Sequence, residues 1–146
     1  QEPAEIEVEF WGRYEPVTTV SIPHAYAFEP KHELLVEKLK QHGIVVERTN
    51  APLKIEVEVE TIVSINRAAR AFQGHNMVRL ETNVAREKRE IPAGWFLVRT
   101  AQPQGRLASH LCEARTCDGL VTWNMLDDFV KEGGEYPIWR VIGKVK

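Results

Sequence analysis

The feature that most constrains the fold is the alternation of apolar and charged residues in KIEVEVETIVSI, residues 54–65. A period of two is typical of a β-strand, because successive side chains point to opposite faces of a sheet. The pattern predicts one long strand with two different faces. Its apolar face would consist of Ile55, Val57, Val59, Val63 and Ile65, and its acidic face of Glu56, Glu58 and Glu60.

A second alternating segment follows after the polar connection at residues 73–76. Here Val78, Leu80 and Val84 alternate with Arg79, Glu81 and Asn83. The two segments together predict a long antiparallel hairpin in which acidic residues of one strand face basic residues of the other. We expect Val57, Val59, Val78 and Leu80 to face the core, and Glu58→Ala to cost less than about 0.5 kcal/mol.

The remaining periodic segments predict five further strand segments and two helices. Residues 6–10 alternate as a strand with one solvent-exposed face. Residues 17–28, which Pro23 interrupts, predict either an edge strand or two short strands with a bend. Strands are also predicted in IVVERT (44–49), in GWFLVRT (94–100) and in YPIWRVIG (136–143). The segment LVTWNMLDDFV (120–130) predicts a short helix or a strand.

The first helix is predicted from about Lys31 to His42, with Leu34, Leu35 and Leu39 on one face and Gly43 as the left-handed residue after its end. The second is predicted from Pro103 to about Ala114, with Leu107, Ala108 and Leu111 as its apolar stripe. The fold class that follows is α+β, with a mostly antiparallel sheet and about two helices in one compact domain over residues 1–146.

Composition excludes some function classes. Nineteen Lys and Arg against 21 Asp and Glu give a net charge of -2, and no basic block stands ready to neutralise phosphates, so nucleic acid is not an expected partner. No stretch approaches the roughly 20 apolar residues that span a bilayer. Because the chain begins at Gln1, we expect a processed chain or a fragment excised from a longer protein.

Cys112 and Cys117 are the only two cysteines, and two do not form a disulfide scaffold. A pair of free thiols and one local crosslink both remain open.

The aromatic residues leave a similar choice. Trp11, Trp95, Trp123 and Trp139 suggest either a platform for a sugar or peptide or ordinary core and rim residues.

A His-x-x-Glu pair, His110 and Glu113, is the candidate for metal chemistry. A catalytic zinc needs three protein ligands and an open position for water, and no histidine follows His110. The pair therefore favours an ordinary helical histidine and glutamate, and we assign no catalytic or metal-binding residue.

Three arginines, Arg99, Arg106 and Arg140, could hold a carboxylate, although a salt bridge within the domain is the commoner outcome. The cluster of His24, His32, Glu33 and His42 fits a solvated helix face and its last turn.

The segment from Ile91 onward resembles the tail of bacterial zinc carboxypeptidase-like proteins, in which a peptidase domain is followed by a non-catalytic C-terminal region. Residues 22–44, IPHAYAFEPKHELLVEKLKQHGI, resemble a strand and helix of the same group. The resemblance covers roughly Thr19 to Val141 and departs at Cys112 and Ala114, where Leu and Pro are expected. The matching positions of the tail are Pro92, Gly94, Trp95, Ala101, Gln102, Pro103, Leu107, Leu111, Glu113, Asp118, Trp123, Asp127, Tyr136, Pro137 and Arg140.

The resemblance implies a C-terminal accessory domain of a larger, secreted or periplasmic protein. It implies that the zinc and the catalytic residues belong to a peptidase domain outside this chain, that this chain needs no cofactor, and that the peptidase domain is its intramolecular partner. The candidates for contact with that partner are Tyr26, Trp123 and Phe129. The alternatives are a glycan- or peptide-binding module built on exposed tryptophans and a free-standing metal hydrolase that uses His110 and Glu113.

Overall fold

The computed structural model describes residues 5–16 and 19–145. Within them lie two α-helices, one short 3-10 turn and six strands. In chain order these are β1 (Ala25–Phe28), the 3-10 turn (Pro30–His32), α1 (Glu33–Gln41), β2 (Glu47–Arg48), β3 (Leu53–Arg67), β4 (Val78–Ile91), β5 (Phe96–Arg99), α2 (Gly105–Cys112) and β6 (Ile138–Val141).

The six strands form one sheet in the order β2-β5-β1-β6-β3-β4, and every neighbouring pair is antiparallel. The predicted α+β class, with its mostly antiparallel sheet and two helices, is therefore confirmed. Among the described residues no helix is long and apolar enough to cross a membrane.

The sheet carries an apolar core on each face. The larger core lies under the two helices, where Leu35 and Leu39 of α1 and Ala108 of α2 pack with Tyr26 and Phe28 of β1. The smaller core lies on the opposite face of the sheet, where Trp95, Trp139 and Val145 partly cover it. Its buried members are Ala25, Ala27, Ile55, Val57, Val59, Ile91, Leu97 and Val141.

The predicted hairpin of β3 and β4 is confirmed, and its register runs from Leu53 opposite Ile91 to Arg67 opposite Val78. The prediction of its faces was wrong in two respects. A β-bulge lies between Ile62 and Ser64, so Val63 is half-exposed and Ile65 turns toward the helix side. Val57 and Val59 therefore belong to the smaller core, whereas Val78 and Leu80 belong to the larger one. The acidic face is also not solvated, because Glu58 and Glu60 are buried.

The segment after Pro23 is not an edge strand as predicted, because β1 lies between β5 and β6 in the middle of the sheet. Pairing begins just after the proline, where the His24 N–H donates to the Val141 carbonyl at 2.9 Å. Pro23 thus lies outside the ladder, and its missing N–H costs the strand nothing. The earlier part of that prediction, residues 17–18, lies outside the described residues.

The predicted strand at residues 6–10 was wrong: these residues form no regular structure and pair with no described strand. A single strand without a neighbour leaves its backbone groups to water and is not stable by itself. Residues 120–129 also differ from the prediction, since they form consecutive turns rather than a helix or a strand.

The two helices were predicted within two or three residues. The first ends as expected, with Gly43 at a φ of +74° in the left-handed region that favours glycine. Its buried face is Leu35, Val36 and Leu39, whereas Leu34 is 72% exposed, which corrects the predicted stripe by one position.

Candidate functional site: a buried ion network beneath an arginine-lined cleft

Four polar residues form one row across four neighbouring strands on the helix side of the sheet. In the register of the sheet Tyr26 lies opposite Arg140, Arg140 opposite Glu58, and Glu58 opposite Arg86. Arg140 donates through Nη1 to the Glu58 carboxylate, and Arg86 donates to the same carboxylate at 2.7 Å through Nη2. The strand pairing itself therefore places a carboxylate between two guanidinium groups.

Helix α2 lies over this row. Two further partners are Ser109 of α2 and Glu113, the residue directly after the helix. The Glu113 Oε1 atom accepts from the Tyr26 hydroxyl at 2.5 Å and from Arg140 Nε at 3.1 Å. Since the single hydroxyl proton of Tyr26 is used in that bond, the Ser109 hydroxyl at 2.8 Å donates to the Tyr26 oxygen. We call Tyr26, Glu58, Ser109, Glu113 and Arg140 the buried ion network.

Burial keeps the Tyr26 hydroxyl of the network protonated. Desolvation, followed by the nearby charge of Glu113, raises the pKa of Tyr26 far above its usual value of 10.0, so the hydroxyl stays protonated and serves as a donor. Arg140 also donates through Nη2 to the backbone carbonyl of Ser21, which ties the segment before β1 to the sheet. The network joins three strands, α2 and this segment through charge-assisted hydrogen bonds.

Glu60, two residues after Glu58 on β3, is a second buried acid. Glu60 accepts a hydrogen bond from the Thr82 hydroxyl on β4. Burial raises the pKa of this carboxyl, while the Thr82 hydrogen bond and the charges of Arg115 and Arg140 lower it. The effect of burial is the largest, so the pKa of Glu60 lies above its usual value.

An open cleft of about 860 Å³ lies beside the network. Arg79 of β4, Arg106 of the first turn of α2 and Arg115, which follows α2, contribute to its wall. We call it the arginine cleft. Its full lining is Val20, Ser21, Arg79, Leu80, Arg106, Ser109, His110, Glu113, Arg115, Thr116 and Cys117.

The predicted candidates for metal chemistry, His110 and Glu113, both line this cleft but have different partners. Glu113 is held by Tyr26 and Arg140, whereas His110 Nδ1 lies 3.4 Å from the Thr116 hydroxyl. A carboxylate already engaged by an arginine and a tyrosine is a poor ligand for a cation. Across residues 5–16 and 19–145, no three His, Cys, Asp or Glu side chains form a group that could hold a metal ion.

The predicted contact residues are not brought together. The side chain of Tyr26 is fully buried in the network, and contact of Tyr26 with a partner stays a prediction. Trp123 donates through Nε1 to the Asp118 carboxylate and closes the turn at Asp118-Gly119. Phe129 is 41% exposed and packs edge-on against His32, with ring centroids 4.3 Å apart.

Trp95 and Trp139 form an adjacent pair on the other face of the sheet, with ring centroids 4.6 Å apart. Beside them is a small cavity of about 140 Å³ that His32 also lines. His32 is 2% exposed, and neither of its ring nitrogens has a hydrogen-bond partner among the described residues. Desolvation lowers the pKa of this imidazole from its usual 6.5, which favours the neutral ring.

Arg99 forms an ion pair with Glu47, and Arg140 forms ion pairs with Glu58 and Glu113. Both are salt bridges within the domain, as expected. Sequence reasoning missed Glu58 as a buried group, because its alternation with valines indicated a wet face. One signal was present: Arg140 is the single charge in the apolar strand Ile138–Val141, and a buried arginine requires a buried acid.

Comparisons with known proteins point to one group. The chain is similar to part of carboxypeptidase 2. It is 27% identical over 127 residues to Carboxypeptidase 2 of Trichophyton rubrum, a match that covers 87% of this chain and 23% of that protein. It is also 27% identical over 125 residues to Carboxypeptidase 2 of Trichophyton tonsurans, with coverage of 86% and 23%. The chain thus spans less than a quarter of the length of these relatives, which is consistent with one domain of a larger carboxypeptidase-like protein. No protein-family model and no solved structure matches the chain.

Proposed function

We propose that this chain is a non-catalytic accessory domain of a zinc carboxypeptidase-like protein, and that it packs against the peptidase domain of that protein. The observation that carries the proposal is the partial match: 87% of this chain aligns with 23% of a protein named Carboxypeptidase 2. The zinc and the catalytic residues would then belong to the peptidase domain. A C-terminal position, a bacterial source and secretion remain predictions.

The segment at residues 5–16 supports the proposal, because it exposes several large apolar side chains. Ile6, Val8, Phe10, Trp11 and Tyr14 are between 75% and 93% exposed, and they lie within ten residues of one another. Clustered exposure of large apolar side chains favours a contact with another domain or protein. We call these residues the apolar segment and propose that it contacts the peptidase domain.

The chemistry of the site supports a non-catalytic role. Ser109, whose hydroxyl lines the cleft, is bonded to Tyr26 and not to a histidine that could act as its base. Glu113 is bonded to Tyr26 and Arg140 and does not combine with His110 in one site. We therefore expect the isolated chain to bind no stoichiometric zinc and to release no amino acid from peptides.

The test compares the full-length protein encoded by the gene with the 146-residue chain. The apolar segment should be protected from limited proteolysis in the full-length protein and cleaved in the isolated chain. Replacing Phe10 and Trp11 by Ser should remove that protection, whereas the control Leu34→Ser, which alters a side chain that is 72% exposed on α1, should not. Equal cleavage of the segment in both proteins would contradict the proposed packing.

Metal analysis and peptide hydrolysis test the non-catalytic assignment separately. One tightly bound zinc per isolated chain, lost on His110→Ala, would instead support the metal hydrolase. Amino acid release by the isolated chain would contradict the accessory role.

A second candidate function is a glycan- or peptide-binding module at the Trp95–Trp139 pair. It is favoured by the adjacency of the two rings, 4.6 Å apart, and by the unpartnered nitrogens of buried His32 in the neighbouring cavity. Titration of the chain with cello- and chito-oligosaccharides and with short peptides tests it. Binding that is lost on Trp139→Leu and kept on Trp11→Leu would favour the module, and no saturable binding would exclude it for those ligands.

A further inference from the structure

The arginine cleft concentrates positive charge in a chain whose net charge is negative. Arg79, Arg106 and Arg115 reach the cleft from three different parts of the fold. Among the described residues, the structure records no ion pair and no side-chain hydrogen bond of these three guanidinium groups. We propose that this cleft is a binding site for a small organic anion that carries two or more oxyanion groups, either carboxylate or phosphate.

The local charge balance carries the first step. The lining includes three arginines and one acid, Glu113, whose carboxylate is already neutralised by Arg140 and bonded to Tyr26. Glu60, whose pKa the charge of Arg115 lowers, does not line the cleft. Like charges around one cleft repel each other, so an anion that approaches more than one arginine is attracted by all of them.

A contrast with four other arginines of the domain carries the second step. Arg67, Arg86, Arg89 and Arg140 each hold a carboxylate within 3.0 Å. Among the described residues, no carboxylate is paired with any of the three arginines of the cleft. A planar guanidinium with five donors is suited to two-point contacts with carboxylate or phosphate, which is the group that these positions lack.

The size and remaining lining of the cleft define the ligand further. A volume of about 860 Å³ lies within the range of roughly 300 to 1,000 Å³ typical of small-molecule sites. Val20 and Leu80 offer apolar contact for a short carbon body, and the Thr116 hydroxyl offers a neutral hydrogen-bond group. The arrangement fits an organic molecule with several oxyanions better than a single inorganic ion.

This inference does not depend on the proposed accessory function, because it uses neither zinc nor a peptidase domain. It can be tested on the 146-residue chain by isothermal titration with two probes, citrate for the carboxylate source and pyrophosphate for the phosphate source. The matched control is Arg70→Gln, since Arg70 is likewise exposed, lies in the connection between β3 and β4, and does not line the cleft.

We expect one saturable site per chain for at least one probe. Arg79→Gln, Arg106→Gln and Arg115→Gln should each weaken binding at least about tenfold, which corresponds to about 1.4 kcal/mol, and Arg70→Gln should change it less than about twofold. Higher salt should weaken binding, because the ion contacts at the cleft are exposed. Binding of citrate alone would identify the carboxylate source, and binding of pyrophosphate alone the phosphate source.

Two results would overturn the proposal. The first is the absence of saturable binding for both probes at low salt. The second is an equal loss of affinity in Arg70→Gln and in the three cleft variants, since that would reflect general attraction to a positive surface. Circular dichroism spectra of the variants exclude unfolding as the cause, and exposed positions of this kind are not expected to disturb the fold.

Discussion

Removal of the Arg140 guanidinium is the most informative perturbation of the buried ion network. Its side chain is 7% exposed and binds Glu58, whose side chain is 11% exposed, and Glu113, whose side chain is 15% exposed. Methionine keeps most of the aliphatic stem and removes the charge and the donors. Arg140→Met therefore leaves two carboxylates in a buried site without their shared cation.

The expected cost follows from the partners that remain. Removing one member of a buried ion pair costs about 3 to 5 kcal/mol, because the other charge stays buried without compensation. Here Glu58 keeps Arg86 as a partner, and Glu113 keeps the Tyr26 hydroxyl. We therefore expect the lower end of that range, about 3 kcal/mol. A domain with a stability of roughly 5 to 15 kcal/mol would remain folded.

Urea denaturation followed by tryptophan fluorescence measures the change. The control is Arg67→Met, which breaks an ion pair with Asp127 whose side chains are 43% and 33% exposed, and which should cost less than about 1 kcal/mol. Adding Glu58→Gln and Glu113→Gln to Arg140→Met should recover about half of the loss, because no unpaired charge then stays buried.

The reasoning is refuted if Arg140→Met costs no more than Arg67→Met. It is also refuted if the two glutamine changes further destabilise Arg140→Met, since the cost would then come from lost packing and not from unpaired charge. Should Arg140→Met fail to fold, Arg140→Lys keeps the charge and removes the forked geometry, and it should be intermediate in stability.

Three other predictions follow from burial. Cys117 is exposed and should react readily with a thiol reagent in the native chain. Cys112 should react only on unfolding, because it is buried and burial raises the pKa of its thiol. Equal reaction rates of the two thiols would contradict this prediction. Burial lowers the folded-state pKa of His32 below the unfolded value of about 6.5. Because the unfolded chain then takes up the proton first, the wild-type chain should lose stability as pH falls below about 6.5. The variant His32→Phe should show a flatter dependence in urea titrations at pH 7 and pH 5.5, and an unchanged slope would refute the assignment. Leu80→Ala should cost about 2 to 5 kcal/mol, since Leu80 is 5% exposed. Val84→Ala should cost under about 1 kcal/mol, because Val84 is 45% exposed. Equal shifts of the melting temperature would mean that the faces of β4 are misassigned.

Local patterns in the sequence were sufficient for the class of the fold and for most of its elements. The two-residue period of β3 and β4 predicted the hairpin, and the three- to four-residue spacing of Leu35 and Leu39 predicted α1, because both signals arise within a few residues of the chain. The order of strands in the sheet was not predictable in the same way. It depends on pairings such as Ala25 with Val141, which join residues 116 positions apart.

The candidate site was only partly predictable for the same reason. Glu58 alternates with Val57 and Val59 and so resembles any glutamate on a wet face; its burial depends on Arg140, 82 positions away, and on α2 above it. The pair His110 and Glu113 was found by spacing, but spacing did not indicate that the two side chains have separate partners. The arginine cleft left no signal in the sequence, since its three arginines share no motif.

The bulge at Val63 makes the length of β3 more important than the side chain at that position. It reverses the parity of the strand, so that Val57 and Val59 face one core while Ile65 faces the other. A change of identity at Val63, which is 50% exposed, leaves this parity intact. The loss of one residue would instead turn Ile65 toward the opposite side of the sheet. When relatives of this chain are aligned, a gap in this part of β3 therefore signals a larger structural difference than any substitution beside it.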